Sequence, residues 1–197
     1  MTSPIMLWTD CETTGLSFEH DVVLEVGFKV TDKLGGVIDH FQSIVALPEW
    51  EDIVEDRIAE DEFVGPMHTK SGLWLDWKRG MKDPNNKPDI VQERVQEFFR
   101  RNGLVHGVQP MCGSSIHFDR DMFRVWLPGV EEFFSYRNID MSTLKELCSM
   151  LSPHIWSSRQ WTDKDKFHRV LLDIDHSLAE YRFYRNHFLQ TEPANVQ

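Results

Sequence analysis

The chain has 197 residues, of which 41% are hydrophobic, 12% aromatic and 27% charged. This composition is typical of a folded globular protein and excludes fibrous and intrinsically disordered chains. A chain of this size buries roughly 70% of its unfolded surface, so we expect one self-sufficient domain over residues 1–197. The formal net charge of −11 is the opposite of the basic surface that holds a long nucleic acid by its phosphates.

The cysteine and hydropathy patterns indicate a cytoplasmic protein. Cys11, Cys112 and Cys148 are widely spaced and flanked by apolar sequence, so we expect reduced residues in the core. No C-x-x-C motif occurs, which argues against a structural zinc site or a redox pair. No apolar run reaches the ~20 residues of a membrane span, and the first residues lack the pattern of a signal peptide. We therefore expect no membrane partner.

The first half of the chain opens with strand patterns. Runs of apolar residues predict strands over 5–11, 22–31 and 37–46, joined as an antiparallel meander with a Gly-Gly turn before the third. The acidic stretch 48–65 is typical of a solvated helix face or loop. After it we predict a helix over 66–78, followed by an exposed basic loop with the sequence KRGMKDPNNKP, which ends at Pro88.

The second half alternates between strand and helix patterns. We predict helices over 88–101, 119–127, 142–150 and 170–188, the third with an approximate cap from Ser142 and Glu146, and strands over 109–113 and 136–140. Strands first, then strands alternating with helices, predict an α/β fold with a mixed sheet flanked by helices.

Acidic residues lie at or just after the ends of two predicted strands. Asp10 and Glu12 end the first strand, and the two-residue period places both carboxylates on one face of the sheet, where they repel each other unless a cation or proton compensates them. Asp119 follows the strand over 109–113, where a helix cap is the alternative role. Asp121 competes with it for any functional role.

His168 and Asp173 frame the start of the last helix. Five helical steps rotate a side chain by ~140°, so the two groups face one site only if His168 lies in the loop ahead of the helix. The sequence SSRQWTDKDKF before it is loop-like. Taken alone, each of these residues also fits an ordinary surface or capping position.

Together these motifs resemble a known family. The strings WTDCETTGL, CGSSIHFDRDMF and HRVLLDIDHSLAEYRFYRNHF are similar, in order and spacing, to the three motifs of the four-acid, one-histidine 3′-to-5′ exonucleases. More narrowly, MHTKSGL and SYRNIDMSTLKEL resemble segments of oligoribonuclease, the branch that degrades very short RNA. The resemblance spans residues 7–188. The chain departs from it at Thr13, where the family usually has Met, and at Leu172, where it commonly has a second Asp.

The resemblance implies a ribonuclease-H-like fold with a mixed five-stranded sheet, and a 3′-to-5′ exoribonuclease that degrades RNA of two to a few nucleotides to nucleoside 5′-monophosphates. It implies two divalent cations, Mg²⁺ or Mn²⁺, which prefer oxygen ligands and act together on phosphodiesters. Their ligands would be Asp10, Glu12, Asp119 and Asp173. His168 would be the general base, since a free histidine has a pKa of ~6.5, near the operating pH.

The resemblance also implies substrate contacts and a homodimer. Leu16 matches the apolar wedge between two bases, and Tyr136 matches a residue that reaches in from the neighbouring subunit. The positions that match contacts to the substrate's phosphates are His68, Ser115, Arg137 and Ser142. A pocket that binds a 5′-phosphate at a fixed distance from the metals selects short, single-stranded RNA.

Two alternatives stay open. A proofreading-type exonuclease on single-stranded DNA or longer RNA needs a basic, aromatic groove, for which KRGMKDPNNKP is the available basic loop. A catalytically inactive binding module of the same fold would instead use the acidic segment 49–62 to contact a basic partner. The presence of all five catalytic residue types favours an enzyme.

Overall fold

The computed structural model describes residues 5–160 and 167–188. Its five-stranded sheet has the order β3-β2-β1-β4-β5. The strands are β1 Ile5–Thr13, β2 Val23–Asp32, β3 Val37–Ile44, β4 Met111–Gly113 and β5 Asn138–Asp140. The first three pair antiparallel, and β4 and β5 run parallel to β1. The predicted meander and mixed sheet are confirmed, and the fold is ribonuclease-H-like.

The described residues contain nine α-helices, and two of them, α4 and α9, begin and end where the sequence predicts. The helices are α1 Glu51–Glu60, α2 Val64–Ser71, α3 Leu73–Gly80, α4 Pro88–Arg101, α5 Ile116–Trp126, α6 Pro128–Glu131, α7 Met141–Leu151, α8 Pro153–Ser157 and α9 Val170–Phe188. None of the described helices is long and apolar enough to cross a membrane.

Several local predictions are wrong in detail. The predicted helix over 66–78 is two helices, α2 and α3, because Gly72 between them adopts a left-handed φ of 77°. The predicted basic loop begins inside α3 and contains a 3₁₀ turn at Pro84–Asn86. Helix α7 is capped by Asp140, whose side chain accepts a hydrogen bond from the Ser142 amide, and not by Ser142 with Glu146.

Helices cover both faces of the sheet. Leu7 of β1 belongs to a core formed with α4 and α5, whereas Trp8 belongs to a second core formed with α7 and α9. Alternation along the strand places Asp10 and Glu12 on the side of Trp8, the side on which α9 packs. The three cysteines are free and buried as predicted, and burial raises the pKa of Cys112 to about 12.

Gly27 sets how closely α9 approaches the sheet. It lies opposite Asp10 in the β1–β2 register. A Cβ atom at this position would be 2.6 Å from Cβ of Val170, the first residue of α9. Only a residue without a side chain lets the start of this helix rest directly on β2, beside the end of β1.

We expect Gly27→Ala to destabilise the protein by about 1–3 kcal/mol, because an extra methyl group in a filled contact forces the backbone apart. Gly129→Ala is the matched control, since the nearest atoms there belong to the flexible side chains of Gln92 and Gln96. Urea unfolding monitored by tryptophan fluorescence measures both variants. Equal stability of Gly27→Ala and the parent protein would contradict the close contact.

Candidate active site

One cavity of about 960 Å³ collects the residues singled out by the sequence motifs. Its lining includes all five predicted catalytic residues, Asp10, Glu12, Asp119, His168 and Asp173. Leu16 and Ser115, two of the predicted substrate contacts, line the same cavity. Residues more than 150 positions apart in the chain therefore share one space at the end of β1.

The end of β1 supplies two of the acids. Asp10 and Glu12 both lie within the strand, which continues to Thr13. The register with β2 shifts between Glu12 and Thr13, an irregularity that ends regular pairing just after the second acid. Bulges of this kind re-aim side chains at the ends of strands, often next to active sites.

Asp119 reaches the site from the first turn of α5. Helix α5 begins at Ile116 with Ser115 at its N-cap, so Asp119 is not the cap residue. Its Oδ1 atom accepts a hydrogen bond from the backbone amide of Cys11 at 2.8 Å. This contact lies beyond the short β1–β4 pairing at Leu7 and Trp8. The other candidate, Asp121, pairs with Arg124 at 2.8 Å on the exposed side of the helix.

His168 and Asp173 meet the strand acids from the start of α9. His168 precedes the helix and has a left-handed φ of 53°, so it is free of the helical rotation that would turn it away. Asp173 is buried, and its Oδ1 accepts a hydrogen bond from the Phe167 amide at 3.1 Å. Ligand atoms of Glu12, His168 and Asp173 lie within 4.8 Å of one another. Of the predicted loop over 157–167, residues 161–166 lie outside the described residues.

The donor set fits a divalent cation. Four carboxylates that line one cavity repel one another, and a cation offsets that repulsion. Carboxylate oxygens are the ligands that hard cations such as Mg²⁺ and Mn²⁺ prefer. The buried Glu12 and Asp173 have little water to stabilise their charges, which strengthens the case for a metal ion between them.

Hydroxyl groups form one wall of the cavity. Ser115 Oγ lines the cavity and lies 3.0 Å from Ser142 Oγ, which is outside the lining and contacts it through Ser115. Asp140 holds both, because its Oδ1 accepts hydrogen bonds from the backbone amides of Ser115 and Ser142 at 2.8 and 3.1 Å. The N-termini of α5 and α7 therefore meet at the Asp140 carboxylate, and the Ser115 side chain remains on the cavity lining.

The other predicted substrate contacts lie elsewhere. His68 is 0% exposed and does not line the cavity, and its Nε2 is 2.8 Å from the Thr13 carbonyl oxygen. Its Nδ1 is 4.0 Å from Glu12 Oε2, and burial lowers the pKa of its ring. In this structure His68 supports the end of β1, and its contact with a substrate phosphate stays a prediction. Arg137 and the 82% exposed Tyr136 contact each other outside the cavity lining, with Arg137 Nε 3.1 Å from the Tyr136 hydroxyl.

Three residues of this cavity were missed by sequence reasoning. Phe63 is 69% exposed at the cavity edge, where an aromatic face suits a nucleobase.

Arg57 also lines the cavity, and its Nε lies 3.4 Å from Asp21 Oδ1. Asp21 accepts hydrogen bonds from the Ser17 amide and the Thr14 hydroxyl at 2.8 and 2.9 Å, which shapes the turn that carries Leu16. Arg57 is the lone basic residue in the acidic stretch 48–65, and this was the sequence feature that could have pointed to it.

Comparison with solved structures identifies the class of fold. The chain superimposes on E. coli exonuclease I, in a zinc-bound complex with single-stranded DNA, with a TM-score of 0.63 at 13% identity. Exonuclease I from Methylocaldum szegediense gives a TM-score of 0.61 at 18% identity. The two alignments cover 95% and 93% of this chain but only 41% of each exonuclease I chain. The chain therefore shares its fold with about two fifths of each of these proteins.

Comparison with curated sequences identifies the family. The oligoribonuclease of Chromobacterium violaceum is 35% identical over 185 residues, which is 94% of this chain and 96% of that protein. The oligoribonuclease of Tropheryma whipplei is 35% identical over 93% of both chains, and that of Shewanella loihica is 33% identical over 91% and 93%. The chain belongs to the oligoribonuclease family. A scan against protein-family models found none that matches.

We expect Asp119→Asn to fold, because an amide oxygen still accepts the hydrogen bond from Cys11, and to bind Mn²⁺ at least ~10-fold more weakly through loss of a charged ligand. Asp121→Asn is the matched control, two residues away in the same helix and exposed. Calorimetric titration with Mn²⁺ measures both variants. Unchanged affinity in Asp119→Asn would remove this residue from the metal site.

Proposed function

We propose that this protein is a 3′-to-5′ exoribonuclease that hydrolyses RNA of two to a few nucleotides to nucleoside 5′-monophosphates. The observation that carries the proposal is the cavity shared by four carboxylates and His168, in a chain that belongs to the oligoribonuclease family. The retained set of acids supports an enzyme over an inactive binding module.

The five residues have two roles in this proposal: the four acids bind metal ions, and His168 is the general base. Asp10, Glu12, Asp119 and Asp173 would hold two divalent cations, Mg²⁺ or Mn²⁺. Bound there, the cations supply Lewis-acid stabilisation of the charge that develops on the phosphoryl oxygens. His168, within 4.8 Å of Glu12 and Asp173, takes the proton from the attacking water as general base.

The cavity wall favours a short substrate. Among the described lining residues, Arg57 is the single arginine and there is no lysine, whereas grooves for long single strands are strongly basic. The hydroxyl wall of Ser115 and Ser142 suits the 5′-phosphate of a substrate that ends there. Leu16, 82% exposed on the turn beside the acids, and Phe63 offer apolar surfaces to the bases.

We also propose a homodimer that completes each active site. Tyr136 and Arg137 lie outside the cavity of their own chain, so they suit contact with a neighbouring subunit or with the outer end of the substrate. Leu147, Met150 and Leu151 leave a run of apolar surface exposed on α7. Exposed apolar patches of this kind mark protein interfaces.

Two further parts of the proposal concern organisation and location. A single exonuclease domain over residues 1–197 agrees with the one sheet that the described residues form. A cytoplasmic location agrees with three buried cysteines that are free, since oxidising compartments favour disulfides.

Hydrolysis of 5′-labelled RNA and DNA of two to twenty nucleotides, with Mg²⁺ or Mn²⁺ in turn, tests the proposed activity. We expect the highest kcat/KM on RNA of two to four nucleotides, and no turnover after removal of the metals with EDTA. Equal rates on long single-stranded DNA would favour the proofreading-type exonuclease instead. No turnover on any substrate with either metal would favour the inactive binding module.

We expect Asp10→Ala to abolish turnover while the fold is kept, because one of the four proposed metal ligands is lost. His168→Ala is expected to lower kcat by ~10²- to 10⁴-fold, the usual cost of losing a general base. Circular dichroism establishes folding, and steady-state hydrolysis of a dinucleotide measures both variants. Near-normal activity of Asp10→Ala in added metal would show that the assigned ligand set is wrong.

We expect Arg137→Ala to weaken dinucleotide cleavage by ~10- to 100-fold, because a charge-assisted contact to phosphate is worth ~1.5–3 kcal/mol. Ten-nucleotide RNA should lose less, since its binding does not depend on the end contact. Arg124→Ala serves as control, because its side chain pairs with Asp121 and Glu131 on the surface. Equal losses on both lengths would show that Arg137 does not select length, and a fully active monomer in ultracentrifugation would exclude the shared site.

A further inference from the structure

Arg169, the residue after His168, is held by two carboxylates. Its Nη2 and Nε atoms lie 2.9 and 3.2 Å from the two carboxylate oxygens of Glu25, a two-pronged ion pair. Its Nη1 lies 2.9 Å from Asp76 Oδ2. The segment that carries His168 is thus connected to β2 through Glu25 and to α3 through Asp76.

Glu25 makes a second contact to the same segment. Its Oε2 also accepts a hydrogen bond from the backbone amide of Val170 at 3.3 Å. Val170 is the first residue of α9, so this amide has no acceptor within its own helix. Glu25 is buried and lies directly opposite Glu12 in the β1–β2 register. One carboxylate therefore fixes both residues that follow His168 to the strand next to the catalytic acids.

We propose that Glu25, Arg169 and Asp76 form a clamp that positions His168 over the carboxylates. The inference rests on the proposed role of His168 as general base. Arg169 is a positioning residue, because its guanidinium is engaged by Glu25 and Asp76 and acts on the reaction through the backbone of its neighbour.

Backbone geometry shows why a clamp is needed. His168 has a φ of 53°, which lies in the left-handed region that residues with side chains rarely adopt. Such a conformation persists only where the surrounding structure enforces it. The planar guanidinium matches a carboxylate in one orientation, so it fixes direction as well as distance. The ion pair therefore holds the backbone on the C-terminal side of His168 in the conformation that aims its ring at the site.

The clamp also pairs the positive charge of Arg169 with two carboxylates. A free guanidinium next to four metal-binding carboxylates would compete with the cations for them. Glu25 and Asp76 together neutralise Arg169, and hydrogen bonding to Glu25 raises the pKa of its guanidinium. The guanidinium is thereby paired with carboxylates of β2 and α3.

A double-mutant cycle between Arg169 and His168 tests the clamp. We expect Arg169→Met to lower kcat on a dinucleotide by ~10- to 100-fold with KM nearly unchanged, since misplacing a catalytic group by about 1 Å costs up to ~10²-fold. In the His168→Ala background the same substitution should cost less than ~2-fold, because the group that it positions is gone. Arg169→Lys should recover part of kcat, because an ammonium still pairs with Glu25.

The matched control is Arg185→Met. Arg185 binds the Leu34 carbonyl oxygen and so also ties α9 to the sheet region, but at the far end of the helix. Thermal melting should show losses of stability for Arg169→Met and Arg185→Met, whereas only the former should lose kcat. Thermal melting and kcat are both measured on the full chain with saturating Mn²⁺.

The outcomes separate this inference from the proposed function. If Arg169→Met costs the same factor in kcat with and without His168, the clamp acts on the fold or the metal ligands, and the inference is overturned while the function stands. If His168→Ala keeps full kcat, the assignment of the general base fails and the clamp fails with it. If Arg169→Met does not fold, the same cycle is measured with Arg169→Lys, and an equal loss of kcat in both backgrounds overturns the clamp.

Discussion

Repulsion among the carboxylates at the end of β1 is the constraint on which the rest of this structure depends. Four acids line one cavity in a chain that already carries a net charge of −11. Two of the acids accept hydrogen bonds from backbone amides: Asp119 accepts from Cys11, and Asp173 accepts from Phe167. An amide satisfies a carboxylate without adding a formal charge, so the cavity stays negative and receptive to divalent cations.

Two arginines near the site pair with carboxylates other than the four proposed metal ligands. Arg57 lies at the cavity wall but approaches Asp21, which organises the turn that carries Leu16. Arg169 lies one residue from His168 and is bound by Glu25 and Asp76. These two arginines thus shape the two segments that border the site.

Much of the fold follows from local patterns, because the meander, α4 and α9 lie where apolar runs and helical spacing in the sequence predict them. The prediction of one helix over 66–78 fails because periodicity does not report the left-handed conformation that Gly72 adopts. Asp119 looks like a helix cap in the sequence, since its bond to the Cys11 amide spans 108 positions and leaves no local trace. Phe63 was missed for the same reason: its exposure at the cavity depends on how α2 packs, which no short window encodes.

The two segments that most resemble oligoribonuclease contact residues of the exonuclease motifs in this structure. In MHTKSGL, His68 binds the Thr13 carbonyl and approaches Glu12, so the segment supports β1 where its regular pairing ends. In SYRNIDMSTLKEL, Asp140 binds the backbone amides of Ser115 and Ser142. Both segments therefore hold the backbone of an exonuclease motif in place. A change in either segment would therefore alter the shape of the site without replacing any of its four carboxylates.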